Sequence, residues 1–586
     1  MRPAHLSSAL ATALLACAVL PASGAAKTIC VSKPGCVGKV VATVNAAAAE
    51  ANSSAGADRI EIGEGTFTGA AMYFGDMAAV DVVGAGRGKT ILQTAGSAAL
   101  TLSRADSSVS DLSVQIDDKS VLGIDLSGAN TKAERVEVTG AGVETSASDI
   151  GIILRRGGTV RDAVVTMPLH PQYADYGISL SPSNAADPAN VPTLIENVTV
   201  TSGYAVNIRP GNREVTVRGA QLKGGTFGVG IATPVPHVTL ENVAASAFKR
   251  DEPNASANGV NVYGYDSAAS ATVVDLRHVT ANAPHRGGRA FSVQQQGVTP
   301  LTINAVDSAF FGGRDTEAGS FDIELGGFKT GTQMHVSRSA YRSTNIWSPE
   351  WILQGPGYTK LHDDGGNVDL AGHPGQQLAD LAAGDLRPVA GSVLVDNGTP
   401  GPLDPSASAV DAAGAPRLAD GDGDGDVRRD LGAYEVAAGT NPGHVAAVAM
   451  GTLCQVTTCP KPGGGGGGGT TAKVLPDTKI LKLMPKGSRK EISGTATGAV
   501  QNVLISITRK RGKKCEALSA KQKWVKTAKV KPAGTCAASF ALVAKGQATW
   551  SLKLKKELPK GKYVVHVRAT GPDGIEPDPT PTPFKR

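Results

Sequence analysis

Between Asp58 and Trp351 apolar and polar residues alternate in runs of four to six, and no segment of useful length repeats at the helical period. The runs share a form, Gly-apolar-x-apolar: "GIDLSG" at Ile124, "GIILRR" at Ile152, "GISLSP" at Ile178, "AVNIRP" at Val206, "GVGIAT" at Val229, "GVNVYG" at Val260, "AFSVQQ" at Phe291 and "FDIELG" at Ile323. They recur at steps of roughly 23 to 32 residues. A second column lies between them, in "VSDLSV", "AERVEV", "VRDAVV", "IENVTV", "VRGAQL", "LENVAA", "LRHVTA", "AVDSAF" and "VSRSAY". Its centres are Asp111, Arg135, Asp162, Asn197, Gly219, Asn242, His278, Asp307 and Arg338. Two interleaved columns at one irregular period predict a solenoid whose corners accept insertions.

With no crossover helices, successive coils must pair in parallel as a β-helix, stacked about 4.8 Å apart, so that about a dozen coils make a rod of about 55 Å. Asp111, Asp162, Asn197 and Asn242 suit an inward-bending corner where short polar side chains bond the backbone of the next coil. His278 and Arg338 in the same column imply that side chains there also face solvent.

The opening "DRIEIGEGTFTG" and "VDVVGAGRGKTIL", with "TVNAAAAEA" as a capping helix, resembles the right-handed parallel β-helix of the pectate-lyase-like superfamily across roughly residues 40 to 440. A cap is required there to cover the first coil's open core and edge. Further on, "HDDGGNVDL", "GDLRPVAGSVLVDNGTP" and "PRLADGDGDGDVRRDLGAYE" follow one another in an order similar to the C-terminal part of the choice-of-anchor Q family of bacterial surface proteins. That resemblance implies an extracellular surface protein and implies no reaction.

The unbroken glycine run at residues 463–469 is a flexible linker by composition. Beyond it stand 25 Lys+Arg against 7 Asp+Glu, leaving 33 against 45 before it, so an acidic body carries a basic tail. The expected order is a signal peptide over residues 1–26, an acidic all-β right-handed parallel β-helix over 27–440, a Cys-containing Gly-rich linker over 441–470, and a basic β-sandwich over 471–586. The apolar stretch near the N-terminus is too short for a membrane span, and the mature chain is expected to have none; lipidation at Cys17 in "LLAC" is the alternative. With Cys17 removed, the cysteines fall into three local pairs, Cys30/Cys36, Cys454/Cys459 and Cys515/Cys536, the pattern of disulfides in an exported chain. The basic stripe "RKRGKK" with Lys521, Lys523, Lys526, Lys529 and Lys531 suits an anionic cell-envelope polymer. Export argues against nucleic acid as a specific partner.

In enzymatic members of the superfamily, loops inserted at coil corners build the groove. Here the insertions span residues 168–177, 181–192, 248–258, 263–270 and 282–289. They carry His170, Tyr173, Tyr176, Tyr263, Tyr265, His285, Arg286 and Arg289, a candidate carbohydrate site in which tyrosines stack on sugar rings and cations meet acidic groups. A lyase needs a base and a cation at a sugar carboxylate, and a hydrolase needs two acids at a set separation. Neither set is recognisable: there is no Arg-x-Pro-x-x-Arg segment of the pectate-lyase kind, and no paired-Asp or Gly-His-Gly segment of the polygalacturonase kind. The leading expectation is a non-catalytic rod that binds polysaccharide or another surface. The alternative is a polysaccharide lyase or glycoside hydrolase acting on an acidic glycan, marked by His170, His285, Arg286 and an acid such as Asp175 or Asp251 clustering around a tyrosine-lined cleft.

One cofactor is suggested. The run Asp420, Asp422, Asp424, Asp426, with Asp430 beyond, fits the start of a calcium loop, D-x-D-x-D-G. The twelfth position of such a loop is Leu431, so Asp430 or Glu435 would have to close it. The competing reading is a solvated acidic turn between the last β-helix strands.

Overall fold

The computed structural model describes residues 25–585 apart from 76, 95, 118–120, 141–148, 169–174, 183–189, 249–256, 265–270, 286, 296–299, 314–319, 328–331, 344, 348–359, 374, 404–406, 438–444, 449, 451–476, 484–489, 498–501, 513, 528, 531–534, 537, 539–540, 547–548, 572–573 and 576–581. It divides into two compact units, Met1–Cys459 and Pro460–Arg586.

The first unit is a parallel β-helix. Each coil has three faces, and the Gly-apolar-x-apolar strands form the first of them. Register aligns Ile124, Ile152, Ile178, Val206, Val229, Val260, Phe291 and Ile323 in one column, every member fully buried. The preceding position is small because the next coil passes close by. A Cβ added at Gly123, Gly151, Gly177, Gly228 or Gly259 would lie 2.6–2.7 Å from a carbonyl oxygen of that coil. The first coils are covered by the helix Val44–Asn52, whose Val44, Ala47, Ala48 and Ala51 are buried. Buried Arg104 ties this cap down, donating to the Ala51 carbonyl at its end and to the Gly75 and Ala78 carbonyls of the coils.

The second sequence column marks the corner between the second and third faces. All nine of its residues, from Asp111 at φ 58° to Arg338 at φ 42°, are left-handed. One such residue reverses the inside-outside alternation, so the apolar residues before and after it both point inward. The contacts of the column differ from the expectation of bonds to the next coil's backbone: they run from side chain to side chain. Arg135 forks onto Asp111 through two 2.7 Å bonds, and Asn197 Nδ2 donates to Asp162 Oδ1 at 3.3 Å.

Farther along, Asn242, His278 and Asp307 of the column are buried, while the Arg338 side chain stays 43% exposed. Parallel pairing of coils ends with Val368–Asp369 against Ala340–Tyr341. Residues 370–437 then fold back over the third face as an irregular cover. Leu370, Leu378, Leu394, Leu431 and Ala433 pack there on Ala244, Ala309 and Phe311. The cover also bonds to the corner column: Asn242 Nδ2 donates to the Val410 carbonyl at 2.7 Å, and Thr399 N donates to Asp307 Oδ1 at 2.9 Å. His278, expected at solvent, is only 6% exposed for this reason.

Arg417 holds the cover together. It is 0% exposed, pairs with Glu435 at 2.7 Å, and donates to the carbonyls of Gly432 and Ala433 and to Asn242 Oδ1 on the rod. Gly432 is required at φ 101°, where a Cβ would come within 2.3 Å of Thr280 Oγ1.

The second unit is a β-sandwich. An antiparallel sheet of Asp477–Leu483, Glu491–Thr497 and Thr549–Lys553 faces one built on Asn502–Arg511 and Lys562–Gly571, with Trp550, Ile505, Ile507 and Val565 buried between them. Disulfides Cys30–Cys36 and Cys515–Cys536 are formed, while Cys454, Cys459 and the glycine run lie outside the described residues.

Two outcomes test this account. Asn197→Gly is expected to be near neutral, whereas Asn197→Val, which forces a β-branched residue to φ 53°, costs about 1–3 kcal/mol in guanidinium unfolding. Arg417→Met leaves Glu435 buried without its cation and costs about 3–5 kcal/mol; limited proteolysis should then cut the cover before the rod.

Candidate functional site

The five insertions all border the first face. Segments 168–177 and 181–192 flank the strand Tyr176–Leu180; 248–258 and 263–270 flank Asn258–Gly264; 282–289 leads into Arg289–Gln295. The corner between second and third faces is one left-handed residue in each of these coils, so length variation is confined to the two ends of the first face.

The outer side of that face carries two parallel rows. Two positions before the inward column, register aligns Tyr176, Tyr204 and Phe227, followed by Asn258, Arg289 and Phe321. Tyr176 stacks on Tyr204 with ring centroids 5.0 Å apart, and Phe227 meets Tyr204 edge-on at 4.9 Å. Tyr263 leans toward Phe227 at 6.0 Å, and the Arg209 guanidinium lies 5.6 Å from the Tyr176 ring. One position after the inward column the row reads Asp125, Ile153, Ser179, Asn207, Gly230, Asn261, Ser292 and Glu324. Tyr263 donates its hydroxyl to Asn207 Oδ1 at 3.1 Å. Asp125 pairs with Arg155 at 3.1 Å and Glu324 with Arg289 at 2.9 Å. Burial pushes the Glu324 carboxyl up, and Arg289 pulls against it. Ser179 Oγ, Asn261 Oδ1 and both amide atoms of Asn258 are buried without a protein partner.

Tyr176, Tyr263 and Arg289 of the expected site therefore share one face. His285 stands apart on the turn before Arg289, edge-on to Phe248 at 6.2 Å. His170, Tyr173, Tyr265, Arg286 and Asp251 lie outside the described residues. Sequence reasoning missed Tyr204, Phe227, Asn207 and Glu324. Their signal was inside the repeat itself: "YGISL", "YAVNI" and "FGVGI" each place an aromatic two residues before the inward apolar position.

Two acids stand where the aromatic row begins. Asp149 and Asp175 immediately precede the strands Ile150–Leu154 and Tyr176–Leu180, and Asp149 N donates to Asp175 Oδ1 at 3.1 Å. Burial, reinforced by neighbouring Asp175, pushes the Asp149 carboxyl up to about 6. Its Oδ1 has no hydrogen-bond partner.

The aspartate run lies in the cover, away from any strand of the rod. The carboxylates it brings within 4.8 Å of one another are Asp420, Asp422 and, from the "VDNG" turn, Asp396. Asp424 accepts from Asp426 N at 2.7 Å, and Asp426 pairs with Arg428 at 2.6 Å. Asp430 accepts from Asp396 N at 2.9 Å and from Val436 N at 2.7 Å, while Glu435 is held by Arg417. Neither Asp430 nor Glu435 closes a twelve-residue loop, because both are committed to the buried knot. Burial pushes both of these carboxyls up.

On the tail, Trp524, Tyr563 and Phe584 stack at 5.9 and 5.3 Å, and the Arg509 guanidinium sits 3.8 Å from the Trp524 ring. Lys510, Arg511, Lys514, Lys521, Lys523 and Lys526 are exposed along the same strands; Lys531 lies outside the described residues. No helix among the described residues is long and apolar enough to cross a membrane.

No family model and no curated protein matches the chain. Among solved structures, the A-module of the Azotobacter vinelandii mannuronan C-5 epimerase AlgE6 is similar at 15% identity and a TM-score of 0.27, covering 55% of this chain and 92% of that one.

The Asp149 carboxyl predicts a pH dependence. Its folded pKa lies above the unfolded value of about 3.9, so the ionised form opposes folding at neutral pH, and the penalty fades as pH falls from about 6 to about 4. Asp149→Asn should stabilise the chain by about 1–3 kcal/mol at pH 7.5 and leave it unchanged at pH 4, as read from chemical unfolding at both pH values.

Proposed function

We propose that this protein is an extracellular rod that binds a polysaccharide along the outer side of its first face, with the basic sandwich adding affinity for anionic envelope polymer. The observation that carries this is the row Tyr176, Tyr204 and Phe227, rings in contact from coil to coil beside a row of amides, hydroxyls and carboxylates. The half-buried rings form an apolar strip that a sugar's C–H side can meet. Coil spacing of about 4.8 Å repeats both rows along the rod, which matches a polymer better than a single small molecule.

Two disulfides support an oxidising, extracellular setting. The resemblance of the terminal motifs to choice-of-anchor Q proteins fits the same reading, as does the wider resemblance to the pectate-lyase-like superfamily. The exposed lysines of the tail support binding of an anionic polymer through a salt-sensitive, charge-based contact.

A second reading is favoured by the Asp149–Asp175 pair. A carboxyl raised to about 6 beside an aromatic row has the protonation needed of a general acid in a lyase or hydrolase on an acidic glycan.

The full chain, titrated against a panel of acidic and neutral polysaccharides by affinity electrophoresis, should bind at least one of them. Tyr176→Ala with Tyr204→Ala should weaken that binding about tenfold or more. Wild-type affinity in the double variant, or silence across the panel, sinks the proposal. Unsaturated sugar products or new reducing ends that disappear in Asp149→Asn would establish the catalytic reading instead.

A further inference from the structure

The acidic cluster of the cover carries an inference that does not depend on the glycan reading. One carboxylate oxygen from each of Asp396, Asp420 and Asp422 lies within 4.8 Å of the others. Calcium–oxygen distances are about 2.3–2.6 Å, so two oxygens on one ion are separated by at most about 5 Å. The three fall inside that limit. Repulsion alone would spread them, and no lysine or arginine is paired with Asp396 or Asp420 among the described residues.

Asp396 supplies the independent observation. It is 1% exposed, its Oδ2 accepts from Asp422 N at 2.9 Å, the Arg428 backbone N–H also faces the carboxylate, and its Oδ1 is buried with no hydrogen bond of good geometry. A buried carboxylate oxygen with nothing to accept from is costly unless a cation or an ordered water completes it. Two acids of the run stand directly beside this one.

We propose that Asp396, Asp420 and Asp422 form a calcium site that joins the "VDNG" turn to the "DGDGDGD" loop. The donors are all carboxylate oxygen, the chemistry of a hard cation, with no nitrogen or sulfur to favour a transition metal. Backbone carbonyls and water complete the six to eight ligands such an ion takes. The site differs from an EF-hand loop in kind. Its third carboxylate comes from 26 residues upstream of Asp422 rather than from farther along the same loop, so the ion bridges two turns.

Its consequence is mechanical. Asp396 N also donates to Asp430, which is bonded through its own N to Glu435 and thereby linked to Arg417 and the rod. An ion at Asp396 therefore ties the exposed acidic loop to the buried knot that fastens the cover.

The test uses the full chain stripped with a chelator and dialysed. Isothermal titration with calcium chloride should show a site with a dissociation constant of about 10⁻³ M or tighter, and magnesium should bind at least tenfold more weakly. Calcium should raise the melting temperature and slow proteolysis of residues 370–437. Asp396→Asn keeps an acceptor for Asp422 N and should fold, yet lose calcium affinity at least tenfold together with the thermal shift. If that variant proves unfolded by circular dichroism, Asp420→Asn carries the same expectation. Asp426→Asn, outside the cluster, should bind as wild type. No calcium heat and no thermal shift in the wild-type chain overturns the proposal; so does wild-type binding by the folded Asp396 or Asp420 variant, and equal affinity for magnesium overturns the assignment to calcium.

Discussion

A single left-handed residue between the second and third faces, repeated in each coil from Asp111 to Arg338, is the constraint on which the rod depends. An L-residue there is strained, and the strain is least for Gly, Asn and Asp. The column nonetheless holds Arg135, His278 and Arg338 at φ values between 42° and 53°. Flanking apolar positions buried on both sides impose the turn whatever the residue, so the corner can spend its side chains on other contacts. Early in the rod those contacts are ion pairs and amide bonds within the column. Later they become the footing for the cover.

The cover shows how an irregular segment is made specific without strands. Among the described residues its strands are one short antiparallel pair, Leu378–Asp380 with Asp385–Pro388, accompanied by a 3-10 turn at Leu370–Gly372 and isolated bridges such as Pro400 with Arg428 and Val410 with Pro416. Position is fixed by Arg417, whose donors reach Gly432, Ala433, Glu435 and Asn242 together. Those bonds offset the cost of burying the ion pair, with Arg417 Nε left without an acceptor. The terminal motifs are therefore one polar knot seen in pieces: the "PR" arginine, the "DNG" turn, the acidic run and "GAYE" each hold another.

The coil repeat, the capping helix and the one-residue corner were legible in the sequence because each leaves a periodic mark: apolar residues in register, an alanine-rich cap, and Asn or Asp at a fixed place. The placement of the terminal section was not. Its contacts join Asn242 to Val410 and Thr280 to Ala433 across more than 150 residues, and no local pattern encodes which face a folded-back segment will choose. His278 was misread for the same reason, since the chain that buries it lies far downstream. Likewise Asp396 carries no local signal of belonging with Asp420 and Asp422. The aromatic row was legible in principle, but Tyr204 and Phe227 sit within strands, and attention to loops passed over them.

These two kinds of position also explain where the rod's surface can vary. From Asp111 onward each second-to-third corner is a single residue that keeps both flanking apolar residues inside, whereas the coil before it accepts an insertion there, residues 84–89 between the strands Val80–Val83 and Thr90–Thr94. The third face is occupied by the cover along much of the rod. From Asp111 onward the ends of the first face are free of both demands, and that is where loops of unequal length occur and where Tyr176, Tyr204 and Phe227 come into line. Where the cover lies over the third face, a groove is therefore left to the first face by the backbone before any functional side chain is considered, and its floor inherits the coil's own repeat.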